Sequence, residues 1–191
     1  MADTNRSFIA IDIQDHIKRD ISKVQAGLKS YGFDIKWVRP EAMHLTLIFL
    51  GEIPASSTGV IREQMTHAAK GVRPFSIFVK GVGAFPDARR PRVVITDIDG
   101  EKNELKGLKN SLDGHLEILG FPIESRPFKG HLTLGRVIKK IDGRQFEHAI
   151  KGYSEFSTHP FEVSRMILFK SDLKPSGPIY SEMASIDFFR H

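Results

Sequence analysis

The tetrapeptide His-Leu-Thr-Leu occurs twice in this chain, at residues 44–47 and, 87 positions later, at 131–134. Side chains alternate along an extended segment, so His44 and Thr46 share one face while Leu45 and Leu47 share the other. The second copy sets His131 and Thr133 against Leu132 and Leu134 in the same way. Core packing accounts for the leucines and leaves the polar pair unexplained, twice. Two imidazoles and two hydroxyls converging on one ligand suit phosphoryl chemistry. With an ordinary pKa near 6.5, one histidine can be neutral and the other charged around neutral pH. The neutral ring accepts a proton from an attacking water or hydroxyl, and the imidazolium gives one to the leaving oxygen. Each threonine hydroxyl can hydrogen-bond a non-bridging phosphate oxygen and offset its developing charge. If both rings flank one phosphate, they are expected roughly 5 to 9 Å apart.

The elements around these tetrapeptides follow from periodicity. RSFIAIDI (6–13), FDIKWV and MHLTLIFLGE read as strands, the last two separated by Arg39-Pro40. Ile17, Ile21, Val24 and Leu28 recur at helical spacing, with Gly32 as a stop. Ser56 and Ser57 are N-cap candidates for a helix through Val60, Ile61, Met65 and Ala68, closed by Gly71. PFSIFVKGVGAF and PRVVITDI read as strands. The second half repeats the plan. Leu105, Leu108, Leu112, Leu116 and Leu119 form one helical stripe ending at Gly120. GHLTLGRVI reads as a strand, 143–151 as a short helix, PFEVSRMILF as one strand and IYSEMASIDFF as the last.

Three landmarks recur at nearly constant offset. Ile11-Asp12-Ile13 pairs with Thr96-Asp97-Ile98 at 85, Pro74-Phe75 with Pro160-Phe161 at 86, and His44 with His131 at 87. Such self-similarity argues for two copies of a β-α-β-β unit. No Gly/Ser-rich linker divides them, so one bilobed α+β domain over residues 1–191 is expected, with pseudo-two-fold symmetry. Its two mainly antiparallel sheets would line a central cleft with helices outside, each leucine face packing on the helices of its own lobe.

Composition sets the outer bounds. The 191 residues include 40% hydrophobic and 27% charged side chains, those of an ordinary globular protein. Cysteine is absent, which excludes disulfides, thiolate zinc sites and cysteine nucleophiles and fits a reducing cytoplasm. The N-terminus offers only FIAI as an apolar run, too short for a signal peptide, and no apolar stretch approaches a membrane span. The expected place is the cytoplasm, with no membrane association. The net charge of +5 favours a polyanionic partner such as RNA.

HLTLIFLGE and HLTLGR resemble the paired HxTx motifs of the two-histidine (2H) phosphoesterases. WVRPEAMHLTLIFLGEI, GVGAFPDARRPRVV and RPFKGHLTLGRV are similar to blocks of the bacterial and archaeal RNA 2′,3′-cyclic phosphodiesterases, also called 2′-5′ RNA ligases. The resemblance runs from about residue 6 to 189. It implies hydrolysis of RNA 2′,3′-cyclic phosphate ends to 2′-phosphomonoesters, with 2′-5′ ligation when an RNA 5′-hydroxyl replaces water. It implies no cofactor and no metal, RNA ends (tRNA fragments among them) as partners, and a monomer. His44 falls on the family's proton donor, His131 on its acceptor, and Thr46 and Thr133 on the phosphate-contacting threonines. Arg136 matches a common arginine, although simple alternation places it on the leucine face, where a phosphate role needs a twist or bulge. VVITDI (93–98) departs from relatives that carry an aromatic and small residues there, which bears on the cleft wall.

Rival readings are another 2H activity, on cyclic nucleotides or ADP-ribose cyclic phosphate, and an RNA-end-binding module without turnover. A metal phosphohydrolase is disfavoured, since HxT supplies one ligand per strand with no carboxylate at a matching spacing. Arg89, Arg90 and Arg92 suit either an RNA backbone or a solvated loop. Alternation assigns Phe49 to the core rather than to a base. Trp37 is open between cleft and sheet cap. His16, His67, His115 and His148 lie on predicted helices as surface residues. No Walker A, HExxH or GxSxG pattern occurs, and GVGAFP lacks the third glycine of a dinucleotide fingerprint.

Overall fold

The computed structural model describes residues 3–175 and 177–189. In chain order these form β1 (Thr4–Asp12), α1 (Asp15–Lys29), β2 (Ile35–Trp37), β3 (His44–Pro54), α2 (Thr58–Ala68) and β4 (Phe75–Phe85). The second half gives β5 (Val93–Gly100), α3 (Lys102–Glu117), β6 (His131–Val137), α4 (Gly143–Lys151), β7 (Phe161–Val163), β8 (Arg165–Lys174) and β9 (Gly177–Asp187). One sheet has strand order β3-β1-β8-β9 and the other β2-β6-β5-β4-β7. Every pairing is antiparallel. The α+β architecture with two antiparallel sheets is therefore the expected one.

The two copies do not build one sheet each. The first sheet takes β1 and β3 from the first copy and is continued by β8 from the second. The other takes β5 and β6 from the second copy and is continued by β4 from the first. The first unit thus lends β2 and β4 to the second sheet, and the second unit lends β8 and β9 to the first. The helices cross over too. The side chain of Gln25 on α1 donates to the Val38 and Leu134 carbonyls beside β2 and β6, and α3 packs on β3. Helices of each copy thus reach strands of the other as well as their own. The stripe Ile17, Ile21, Val24 and Leu28 is buried, as are the four motif leucines, all within one continuous apolar cluster. Each such side chain contributes about 1.5–3 kcal/mol by leaving water.

Three local expectations change. PFEVSRMILF is two strands, because Ser164 passes the chain from β4's sheet to β1's. The serine cap of α2 is replaced by a 3₁₀ turn at Ala55–Ser57 with no side-chain cap bond. The leucine stripe of α3 stops at Leu116, and Leu119 lies beyond the helix, 37% exposed.

Candidate active site

The two HLTL segments open β3 and β6, and the sheet registers show how each presents its side chains. Along β3, Asp12 faces His44 and Ala10 faces Thr46, but the next pair is Ile9 with Ile48. Leu47 is therefore an extra residue, a β-bulge. Along β6, Asp97 faces His131 and Ile95 faces Thr133, and the next pair is Val94 with Gly135, which leaves Leu134 as the bulge. Directly paired residues project from the same face. The bulge keeps both leucines of each motif buried and reverses the alternation beyond them. Phe49, paired with Phe8, and Arg136, paired with Val93, consequently join the histidine faces. Both expectations from strict alternation are corrected here: Phe49 is 74% exposed rather than core, and Arg136 stands with His131 and Thr133.

Each histidine is held by the same device. His44 Nδ1 lies 3.0 Å from the carbonyl oxygen of Ala42, and His131 Nδ1 lies 2.7 Å from that of Lys129. A carbonyl can only accept, so Nδ1 carries the proton and, in the neutral ring, Nε2 is the free basic nitrogen. The backbone two residues before each motif thus engages Nδ1 and leaves Nε2 free of that bond. The surroundings differ. His44 stacks on Phe8 at 4.5 Å and meets the edge of Tyr180 at 5.0 Å, whereas His131 meets the edge of Phe85 at 4.9 Å. Burial pushes the His44 pKa down from 6.5 to about 4, with the Ala42 carbonyl and the Asp12 carboxylate acting the other way. Among the described residues neither motif threonine has its hydroxyl hydrogen-bonded within the protein.

Tyr180 of β9 packs edge-on against both His44 and Phe8. Burial raises its phenol pKa, and the charges of Arg136 and Arg6 lower it. Arg136 from β6 thereby comes within electrostatic reach of a ring that packs edge-on against His44. Arg6 lies on the face of Phe8 two residues along β1. The aspartates opposite the histidines are each ion-paired to a lysine, Asp12 to Lys18 at 3.0 Å and Asp97 to Lys129 at 2.9 Å. Arg6, Phe8 and Tyr180 were not singled out from sequence. Arg6 and Phe8 carry only a period-2 signal, and the place of Tyr180 depends on β9 joining this sheet.

Gln25 was missed as well. It occupies a buried position beside the apolar stripe of α1, 2% exposed, and its amide donates at 2.8 Å to Leu134, the bulged residue of the second motif. Val38 also donates its backbone N–H to Leu134. Gly135 follows because a Cβ there would meet Ile35 at 2.5 Å and Trp37 at 3.2 Å. Trp37 pairs with Gly135 while Lys36 pairs with Arg136, so Trp37 caps the sheet on the side away from Arg136, with Lys29 over its ring.

The Asp87–Arg92 loop joins β4 to β5. Asp87 accepts from the Arg89 and Arg90 backbone N–H groups, and the Arg92 carbonyl accepts from Val137 of β6. The Arg89 side chain points to solvent with Glu147 3.8 Å away. His67 and His115 face one another between α2 and α3 at 5.8 Å rather than standing apart on the surface. Among the described residues no cluster of three metal-ligating groups occurs. A depression of about 390 Å³, lined by residues including Lys23, Tyr153 and His159, contains none of the five residues selected from sequence.

The family model described as LigT like phosphoesterase matches twice, over residues 11–95 and 97–180, one HLTL in each match. The RNA 2′,3′-cyclic phosphodiesterase of Archaeoglobus fulgidus is 36% identical over 178 residues, 93% of this chain and 97% of the relative. That of Thermotoga maritima is 34% identical over 186 residues, 96% and 95% of the two chains. In three dimensions the crystal structure of TT0787 from Thermus thermophilus superposes with a TM-score of 0.76 at 26% identity, covering 96% of this chain and 97% of that one.

Proposed function

The chain belongs to the LigT-like phosphoesterases of the 2H superfamily, and we propose that it is a metal-independent RNA 2′,3′-cyclic phosphodiesterase acting through His44 and His131. The relatives bearing that activity in their names support the substrate class. The observation that carries the chemistry is the repeated clamp on Nδ1, which leaves a basic Nε2 on each of two equivalent strands.

In this reading the cyclic phosphate sits between the two rings, with both sheets acting as a single unit around one cleft. His131 Nε2 takes a proton from water as its oxygen bonds to phosphorus. The P–O3′ bond breaks, and His44, protonated on Nε2, delivers that proton to the departing 3′-oxygen. The products are a 3′-hydroxyl and a 2′-phosphomonoester. An RNA 5′-hydroxyl in place of water gives a 2′-5′ phosphodiester by the same steps. Thr46 and Thr133 donate to the non-bridging oxygens, and Arg136 and Arg6 offset their charge. Every proton moved is carried by a side chain, so no Lewis acid is required.

His44 is held neutral by burial when the site is empty. As donor it needs the charge of the bound phosphodiester, which favours the imidazolium and brings its pKa back toward neutrality. The test is turnover of an oligoribonucleotide ending in a 2′,3′-cyclic phosphate, in EDTA, with the product identified as the 2′-phosphate. Loss of activity restored by a divalent ion, or turnover confined to cyclic mononucleotides, contradicts the proposal.

A further inference from the structure

We propose that Asp97 is the positioning residue for His131, acting through its ion pair with Lys129 to fix the carbonyl that holds the ring at Nδ1. The inference rests on His131 acting as the base and adds what keeps that base aimed.

A carboxylate on the histidine face of β5 is out of place beside a phosphate, which it repels. Register sets Asp97 directly opposite His131, so the two side chains share a face, their Cβ atoms about 4.5–5.5 Å apart. Lys129 meets the charge, with its Nζ 2.9 Å from Asp97 Oδ1. That oxygen is buried and has no hydrogen bond among the described residues, so this ammonium is what offsets it. Lys129 is also the residue whose carbonyl oxygen lies 2.7 Å from His131 Nδ1. Its ammonium stands 5.6 Å from the centre of the Phe85 ring, and Phe85 in turn meets His131 at 4.9 Å.

The first copy shows why the second needs the pair. The Ala42 carbonyl that holds His44 belongs to the 3₁₀ turn Pro40–Ala42, and Met43 behind it is buried and bonded back to the Pro40 carbonyl. Lys129 lies outside the helices and strands. The residue between it and His131 is Gly130, the type with the greatest backbone freedom. A stiffer residue is disfavoured there, because a Cβ at 130 would meet Leu105 at 3.1 Å. One long bond, from the Ile98 N–H to the Gly130 carbonyl at 3.3 Å, ties this stretch to β5. The Asp97–Lys129 pair supplies the second tie. Asp12 faces His44 in the same way, but its lysine is Lys18 on α1, away from the clamp. The carboxylate therefore reaches the clamping residue only in the second copy. A neutral imidazole released from its carbonyl can carry its proton on either nitrogen, and the Nε2–H form has no lone pair to offer water.

Ring ¹⁵N shifts of His131, assigned against the spectrum of His131→Ala, read the tautomer at a pH where the ring is neutral. The wild type is expected in the Nδ1–H form, while Asp97→Ala and Lys129→Met each admit the Nε2–H form. On a cyclic-phosphate-ended RNA both variants should lower kcat about 3- to 10-fold at unchanged KM. The double variant should fall no further than either single one, since the two residues act as a unit, and Asp97→Glu should recover part of the loss. The Nδ1–H form kept intact in Asp97→Ala overturns the proposal whatever the rate. A lower KM or higher kcat in Asp97→Ala also overturns it, as the mark of a carboxylate that only repels phosphate. So does a raised KM in Lys129→Met, which would make the lysine a substrate contact. Should the wild type turn over no cyclic phosphate, the function reading falls and the tautomer alone decides the positioning proposal.

Discussion

Phe49 and Arg136 occupy one position in two copies of the same strand, each five residues after its histidine and each turned outward by a bulged leucine. Arg136 is close enough to Tyr180 for its charge to act on the phenol, and Tyr180 is edge-on to His44. In the proposed mechanism the Arg136 charge acts on the bound phosphate. Arg136→Ala is expected to lower kcat/KM by about 10²-fold, the size of losing one preorganised donor, and Arg136→Lys to recover part of it. Steady-state kinetics on a cyclic-phosphate-ended RNA reads this directly; unchanged kcat/KM in Arg136→Ala would remove the arginine from the site.

The bulge at Leu134 is held by an amide from another element. Replacing Gln25 with leucine leaves the Val38 carbonyl without that donor and the Leu134 carbonyl with only its bond from Val38 N–H. A loss of about 1–3 kcal/mol is expected, seen as a lower urea midpoint at unchanged m-value. Activity should fall further than the folded fraction accounts for, because Thr133 directly precedes the loosened residue and Arg136 lies two positions beyond it. A variant as stable and as active as the wild type would show that the bulge forms without Gln25.

The His44 environment makes a signed prediction about pH. Its pKa is about 4 in the folded protein and near 6.5 unfolded. Between those values the unfolded chain binds the extra proton, so stability falls as pH drops from 6.5 toward 4. The His44 contribution is at most about 3 kcal/mol. Comparing urea midpoints at pH 7 and 4.5, the wild type should lose more than His44→Gln does. Equal losses would mean that the ring is not held neutral.

Binding should reverse that depression. A 2′-phosphate nucleotide places negative charge beside the ring, so the imidazole resonances of His44 should titrate at higher pH in the complex than in the free protein. The alkaline limb of kcat, which reports the bound state, should therefore lie at higher pH than that of kcat/KM, which reports the free enzyme. Coincident limbs would argue against His44 as the donor.

The sequence disclosed much of this arrangement and hid particular parts for identifiable reasons. The repeated HLTL and the burial of Leu45, Leu47, Leu132 and Leu134 follow from alternation within each tetrapeptide. Phe49 and Arg136 do not, because a bulge adds a residue to one strand without any change in composition. Ser164 likewise gives no sign that a continuous apolar run divides between sheets. The exchange of β4 and β8 and the reach of Gln25 to Leu134 are tertiary facts, set by contacts distant in sequence. Polar Gln25 beside an apolar helical stripe was a usable signal, since a buried amide needs partners.

The central claim is that His44 and His131 each move a proton, and single-turnover kinetics of the two alanine variants tests it most directly. With a cyclic-phosphate-ended RNA bound at saturation, His44→Ala and His131→Ala should each slow the chemical step by about 10²- to 10⁴-fold, with affinity for the substrate far less affected. The His131 variant should lose the acidic limb of the rate–pH profile and the His44 variant the alkaline one. Near-wild-type turnover in either variant, or a flat wild-type profile from about pH 5 to 9 with chemistry rate-limiting, would contradict the account.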